Sequence, residues 1–151
     1  MVISPESTLV LIRGLPGDGK TSLAKRLFPD FEHYAADDFY DALGKFDPSL
    51  IGEAHGDCQR NCYAALKRGA SVVVHNTFTE HWEMKPYLRM VDELMWNGLV
   101  LRVIHVDSGL TDEALASRNV HSVPIEVITR MRSHWQTYPG EETISGKESQ
   151  D

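Results

Sequence analysis

The arrangement of apolar runs along the chain predicts an α/β fold. It should have three layers, with helices covering both faces of a central parallel sheet of four or five strands. Three observations predict it. Short β-rich apolar runs alternate with helical patterns through most of the chain, and that alternation is the mark of βαβ units. Crossovers of that kind are right-handed and leave the strands parallel. The strand runs, TLVLIR and SVVVH among them, are continuously apolar, as strands buried on both faces are.

The elements follow in order. Thr8 to Arg13 reads as a buried strand ended by Gly14. Lys20 to Phe28 carries Leu23, Ala24 and Leu27 at helical spacing, and Pro29 stops it. His33 to Ala36 predicts a second short strand, ending at Asp37 and Asp38. One helical pattern then runs through Ala54, Cys58, Cys62 and Leu66 and closes at Gly69. Ser71 to His75 is a third strand. Trp82 to Asn97 places Met84, Leu88, Val91, Leu94 and Met95 on one helical stripe before Gly98. Leu99 to Val106 is a fourth strand and Thr111 to Ser117 a short helix, with Asp112 and Glu113 in the turn where the dipole favours acids. Pro124 opens a last helix through Ile125, Ile128, Met131 and Trp135.

With 151 residues the chain has one domain's worth of sequence. The folded domain is expected over residues 1–138, and residues 139–151 are expected to form a disordered acidic tail, since they are Glu, Ser, Gly, Lys and Gln without core formers. The net charge of -7 argues against a protein that coats nucleic acid by bulk attraction. It leaves room for a local basic groove. No apolar run approaches the roughly 20 residues that span a bilayer, and Met1 to Ser7 lacks the pattern of a signal peptide. Cys58 and Cys62 lie four apart on one helical face without bridging geometry, which suits a reducing compartment.

The chemistry starts at Gly14-Leu-Pro-Gly-Asp-Gly-Lys-Thr21, which matches G-x-x-x-x-G-K-[ST] at every fixed position, after a strand and opening a helix. Gly14, Gly17 and Gly19 let the backbone wrap a phosphate, with Pro16, Asp18 and Ser22 completing the cradle. The helix N-terminus favours an anion. Lys20 is expected to bridge the β- and γ-phosphates of ATP, and Thr21 to hold Mg²⁺.

Asp37 and Asp38 follow the second strand, at the sheet edge where ligands of open parallel sheets sit. A carboxylate there can take the proton of an attacking hydroxyl. A helix cap and first-turn acid explain the same pair equally well, and each residue can do one job. His75-Asn76-Thr77 follows the third strand; it reads as Mg²⁺-water or acceptor ligands, or as a polar loop start. Arg118 begins the connection Arg118 to Pro124. It can close over phosphates, or complement the end of its helix.

RGLPGDGKTSLA (Arg13 to Ala24), ADDF (Ala36 to Phe39), VVVHNTFTEHWEMKPY (Val72 to Tyr87) and RNVHSVPIEVITRM (Arg118 to Met131), in this order and spacing, resemble the phage-type polynucleotide 5′-hydroxyl kinase family of P-loop kinases, an AAA-like ATPase/kinase domain. The likeness runs from about Leu9 to Tyr138. It implies that Asp37 is the general base, that Lys20 and Thr21 serve phosphate and Mg²⁺, that Arg118 is a lid arginine on the nucleotide, and that Asn76 and Thr77 line the floor. Asp38 and Tyr40 then face the acceptor, and the protein would work in the cytoplasm, its own or that of a phage-infected host.

Three departures bear on the acceptor. Tyr40 stands where the phage enzymes have an arginine, which suggests fewer phosphate contacts or stacking on an aromatic ring. His75 stands where the nearest branch has Asp, and His121 stands in the short lid where a second basic residue is expected. The expected activity is transfer of the ATP γ-phosphate to a 5′-hydroxyl of DNA or RNA. A hydroxymethylated base in DNA, a small nucleoside-like acceptor, or an ATP-dependent switch with weak hydrolysis fit the same motifs. Among smaller features, His55, Cys58 and Cys62 are better read as core or groove lining than as a zinc site. Trp82 and Trp135 read as core, and Arg60, Lys67 and Arg68 as a wet helix face.

Overall fold

The computed structural model describes residues 7–145. Along the chain they form β1 (Thr8–Arg13), α1 (Lys20–Leu27), β2 (Glu32–Tyr34), α2 (Asp37–Leu43), α3 (Ile51–Lys67), β3 (Val72–Asn76), α4 (His81–Leu94), β4 (Val100–Asp107), α5 (Asp112–Arg118), α6 (Ile125–Ser133) and β5 (Glu142–Ser145). The sheet has five strands in the order β2-β3-β1-β4-β5, every pairing parallel. The expected α/β architecture is therefore the observed one.

The alternation of side chains along β1 divides the core in two. Leu9 and Leu11 face α3 and α4, meeting Cys62, Leu66, Met84 and Tyr87. Val10 and Ile12 face α1, meeting Leu23, Ala24 and Phe28. These four β1 side chains have no exposure to solvent, and burial of each stabilises the fold by about 1.5–3 kcal/mol. Cys58 and Cys62 are free thiols inside the first of these layers. β1 and β3 stay paired to Arg13↔Asn76, and the connections beyond them diverge, because the chain leaves β1 toward one face and β3 toward the other. A crevice at such a switch point is where open α/β sheets bind ligands.

Two expectations need correction. The single helical pattern after Asp38 is two helices. Gly44 adopts φ 89° and ends α2, donating its N–H to Tyr40 O at 2.9 Å. A 3₁₀ turn over Pro48–Leu50, capped by the Asp47 side chain, then leads into α3. Gly44 and Pro48 were the stop signals, masked by apolar spacing that continues on both sides.

The second correction concerns the tail. Residues 142–145 are not disordered: β5 pairs with β4 from Ile104↔Glu142 to Asp107↔Ser145. Residues 146–151 lie outside the described residues. The anchor for β5 is a buried cation. Arg13, at the end of β1, is fully buried and sits 2.8 Å from the Glu141 carboxylate. It also donates to Phe78 O (2.6 Å) and Gln136 O (2.6 Å), and its guanidinium lies over the Trp135 ring at 4.4 Å. A buried charge is tolerated only when paired and fully hydrogen-bonded. Arg13 meets that demand by holding the β3–α4 loop and residues 135–141 around itself. Arg102 then pairs with Glu142 at 2.7 Å on the neighbouring strands.

Candidate active site

The loop after β1 is shaped from inside the protein as much as for a ligand. Gly17 and Gly19 have φ 87° and 98°, values that side chains with a Cβ rarely adopt. A Cβ on Gly17 would also stand 2.8 Å from Leu115 O on α5. Leu15 packs with Leu115 and Ile128, so this loop and α5 form one block. Asp18 is 3% exposed. Its carboxylate accepts from Leu15 N (2.9 Å), Ser108 N (3.2 Å) and Ser108 Oγ (2.5 Å). Asp18 therefore braces the loop against the β4–α5 connection, with its oxygens engaged by protein donors.

What the block presents is an anion seat. Gly19 precedes α1 without any side-chain cap, and the first turn of α1 carries no acid. Uncapped N–H groups at a helix start suit a phosphate. Lys20 Nζ is folded back onto Gly14 O and Leu15 O, both at 3.0 Å. The enclosing loop desolvates this ammonium and holds its pKa at about 8, against the opposing pull of Asp18 and Asp37. A triphosphate supplies the counter-charge that would raise it again.

Across the crevice the two aspartates differ in their contacts. Asp38 accepts from Ala35 N at 2.9 Å, closing the turn into α2. Burial raises its pKa, with Asp41, Asp37 and Asp57 adding to the rise. Asp37 is left half exposed and meets His121 Nε2 at 3.3 Å. Its backbone is fixed from β3: the N–H of the preceding Ala36 donates to Asn76 Oδ1 at 2.8 Å. Asn76 is 7% exposed, and its amide also reaches Cys58 Sγ at 3.9 Å. Asn76 thus positions the residue beside the crevice from behind.

His75 Nδ1 lies 3.4 Å from Thr21 Oγ1. Burial first, then Lys20, His33 and Lys25, push its pKa down to about 4. A neutral imidazole therefore stands beside the Thr21 hydroxyl at pH 7. Thr77 ties the same loop to the first by accepting Gly14 N–H at 3.3 Å. The next residue, Phe78, has φ 47° and is buried against Tyr87. Such backbone strain persists only where surrounding structure enforces it; here Arg13 does so by gripping the Phe78 carbonyl.

The lid between α5 and α6 is built on Asn119. Its amide donates to Leu115 O, Ala116 O and Val123 O, and its oxygen accepts from Val123 N at 2.8 Å. Arg118 is exposed at the end of α5 and makes no ion pair among the described residues. Gly17, where an added Cβ would lie 3.5 Å from Asn119 N, puts the start of the lid against the phosphate loop.

The structure thus brings Gly14 to Ser22, Asp37, His75, Asn76, Thr77 and Arg118 to one end of the sheet. It removes Tyr40 as a stacking platform. That ring is 7% exposed and is packed against Phe39 and Phe46 at centroid distances of 5.6 and 4.8 Å. Its hydroxyl is buried with the ring and has no hydrogen-bond partner among the described residues. Trp135 is core, stacked on His105 at 4.6 Å, but Trp82 is 65% exposed, contrary to expectation. The wet face of α3 is as read: Arg68 pairs with Glu32 and Arg60 with Asp57. Among the described residues no cluster of three His, Cys, Asp or Glu side chains could hold a metal. No helix there is long and apolar enough to cross a membrane. Sequence reasoning missed Arg13 and Asn119. A charge ending a buried strand is the signal that marks Arg13; nothing local marks Asn119.

A phosphate loop at the head of a 2-3-1-4-5 parallel sheet, facing an acid and followed by a short lid, defines a P-loop domain of the nucleotide-binding class. Residues 9–137 match the family described as AAA domain, and the chain belongs to that family. It is 36% identical over 136 residues to human NEDD4-binding protein 2, a match covering 86% of this chain and 8% of that protein. The chain therefore corresponds to a small part of that relative's length. Among solved structures it resembles a chain of the Pnkp1/Rnl/Hen1 RNA repair complex, with TM-score 0.60 and 18% identity over 85% of this chain and 43% of that one. It also resembles a sugar kinase from Janibacter sp. HTCC2649, with TM-score 0.63 and 14% identity over 95% of this chain and 90% of that one.

Proposed function

We propose that the protein transfers the γ-phosphate of ATP to the 5′-hydroxyl of a nucleic acid, with Asp37 as general base. The observation that carries this reading is the division of labour in the acid pair. Asp38 has one carboxylate oxygen tied into the turn, while Asp37 keeps a half-exposed carboxylate across the crevice from Lys20, whose ammonium feels its charge. The nucleic-acid acceptor draws its support from the Asp37–lid motif order in the sequence and from the fold shared with the RNA repair complex chain.

In this account Lys20 leaves its carbonyl partners for the β- and γ-phosphates, and the uncapped start of α1 donates to them. Thr21 Oγ1 would ligate Mg²⁺, with His75 3.4 Å from it. Such a donor set fits, because Mg²⁺ takes few protein ligands and keeps phosphate oxygens and water; the ion would neutralise charge on the phosphates. The acceptor oxygen forms a bond to the γ-phosphorus as the bond to the β,γ-bridging oxygen breaks and ADP departs. The acceptor proton passes to Asp37. To bind Asp37, the incoming hydroxyl shares or displaces His121. Arg118, free at the lid, closes on the phosphates and stabilises the developing charge.

A second reading, a small hydroxylated acceptor, has one observation in its favour: the likeness to a sugar kinase over nearly the whole of both chains. Labelled ATP offered with 5′-hydroxyl and 5′-phosphorylated DNA and RNA oligonucleotides, free nucleosides and sugar acids separates the two. Label on 5′-hydroxyl oligonucleotides alone is the expected result. Label on a nucleoside or sugar acid with none on oligonucleotides overturns the reading.

A further inference from the structure

Two grooves run along the described residues around Asp37. The first, of about 530 Å³, lies between the end of α2 and the lid, lined by Tyr40, Lys45, Phe46 and His121. The lid already rests on Asp37 there through His121, and the Tyr40 ring offers no open face. The second, of about 610 Å³, lies between the start of α3, the start of α4 and α6, within the range of about 300–1,000 Å³ usual for small-molecule sites.

The inner end of this second groove reaches the candidate active site at Thr77. Thr77 follows Asn76 as Asp37 follows Ala36, the two residues joined by the 2.8 Å hydrogen bond. His55, on its α3 wall, senses the Asp37 charge. The outer end is built differently. Trp82 stands in the first turn of α4 with its indole 65% exposed, and Ile51 lines the same groove at 53% exposure. Trp82 Nε1 donates to Glu80 Oε2 at 3.3 Å, which orients the ring. Glu80 and Glu83 are themselves locked in the capping box of α4. Arg130 and His134 form the α6 wall, and Arg130 has no ion pair among the described residues. A flat apolar face, a guanidinium and a path to the general base thus share one groove.

We propose that this groove seats the 5′-terminal nucleoside of the acceptor, its base stacked on Trp82 and the phosphate that follows it facing Arg130. The inference rests on the nucleic-acid reading above and adds where the end is held. Stacking on an aromatic ring tolerates any base, so the seat selects a terminal nucleotide without selecting its sequence. An arginine beside it supplies the phosphate contact that Tyr40 does not.

Two measurements test it. In steady-state transfer to a 5′-hydroxyl oligonucleotide, Trp82→Ala raises the acceptor KM between about 5-fold and about 150-fold, the loss expected for one stacked base. The KM for ATP stays unchanged, and Trp82→Phe recovers most of the loss. Unaltered acceptor KM in both variants overturns the seat. In the second measurement an oligonucleotide with 5-iodo-2′-deoxyuridine at its 5′ end is irradiated with the wild-type protein and the linked peptide mapped by mass spectrometry. Linkage at Trp82 supports the proposal. Linkage at Tyr40 or Phe46, or none, overturns it. If the wild type phosphorylates no oligonucleotide at all, the acceptor reading fails, and the cross-link, which needs no turnover, decides the groove by itself.

Discussion

Arg13→Met removes the cation around which the β3–α4 loop and the approach to β5 are assembled. The guanidinium is fully buried and donates to Phe78 O, Thr79 O, Gln136 O and the 6%-exposed Glu141 carboxylate. Methionine keeps the apolar stem of the side chain but none of its donors. Glu141 is then left buried beside His105 at 3.7 Å, an imidazole whose pKa burial pushes down, so it supplies no compensating charge at pH 7. Breaking a buried ion pair from one side costs about 3–5 kcal/mol. For a domain of this size about 1 kcal/mol corresponds to roughly 3–4 °C in Tm, so the melting temperature should fall by about 10–20 °C. Urea unfolding followed by circular dichroism measures the loss. Glu141→Gln keeps an acceptor for Arg13 and should cost only about 1–2 kcal/mol. In Arg13→Met/Glu141→Met no charge is stranded, so the double variant should lose less than the sum of the losses of Arg13→Met and Glu141→Met measured singly. A loss below about 1 kcal/mol for Arg13→Met, against the magnitude expected for a buried pair, or strict additivity in the double variant, would refute the reasoning.

Lys20 and His75 give two further predictions. Lys20 is held at about 8 in the free protein, and bound phosphates favour its charged form, so ATP binding takes up a proton where the free lysine has begun to lose it. ATP affinity should be flat below about pH 7 and weaken as pH rises through 8. Calorimetry in buffers of differing ionisation enthalpy reads the proton directly, and Lys20→Met should abolish both effects. His75 offers a neutral nitrogen beside Thr21, so His75→Asp should lower the Mg²⁺ concentration needed for half-maximal transfer. A Mg²⁺ titration that is unchanged or shifted upward would remove His75 from the metal side of the site.

Much of this architecture is legible in the sequence because its signals are local. The β1 run, the glycine-rich loop and the Pro124 start all act within a few residues, and the structure has each where expected. What stayed hidden depends on contacts across the chain. β5 has no apolar run of its own; it exists because Arg13, more than a hundred residues earlier, needs Glu141. The two jobs of Asp37 and Asp38 cannot be divided by spacing, since both suit a helix start; the Ala35 N–H, taken by Asp38, divides them. Trp82 is expected in the core as a large aromatic, yet it lies two residues, about 200° round the helix, from Met84, and α4 turns it outward because Met84 and Tyr87 claim the core. Gly17 reads as a phosphate residue, and its first steric constraint proves to be Leu115 O.

The account stands or falls on which acid activates the acceptor. Single-turnover transfer from ATP to a 5′-hydroxyl oligonucleotide, compared in wild type, Asp37→Asn and Asp38→Asn, tests this most directly. Asp37→Asn should slow the chemical step by about 10²–10⁴-fold, the usual worth of a general base, with ATP affinity retained. Asp38→Asn keeps an oxygen for Ala35 N–H and should lose less than about tenfold, well short of a missing base. Equal losses in the two variants, or full transfer by Asp37→Asn, would contradict the account.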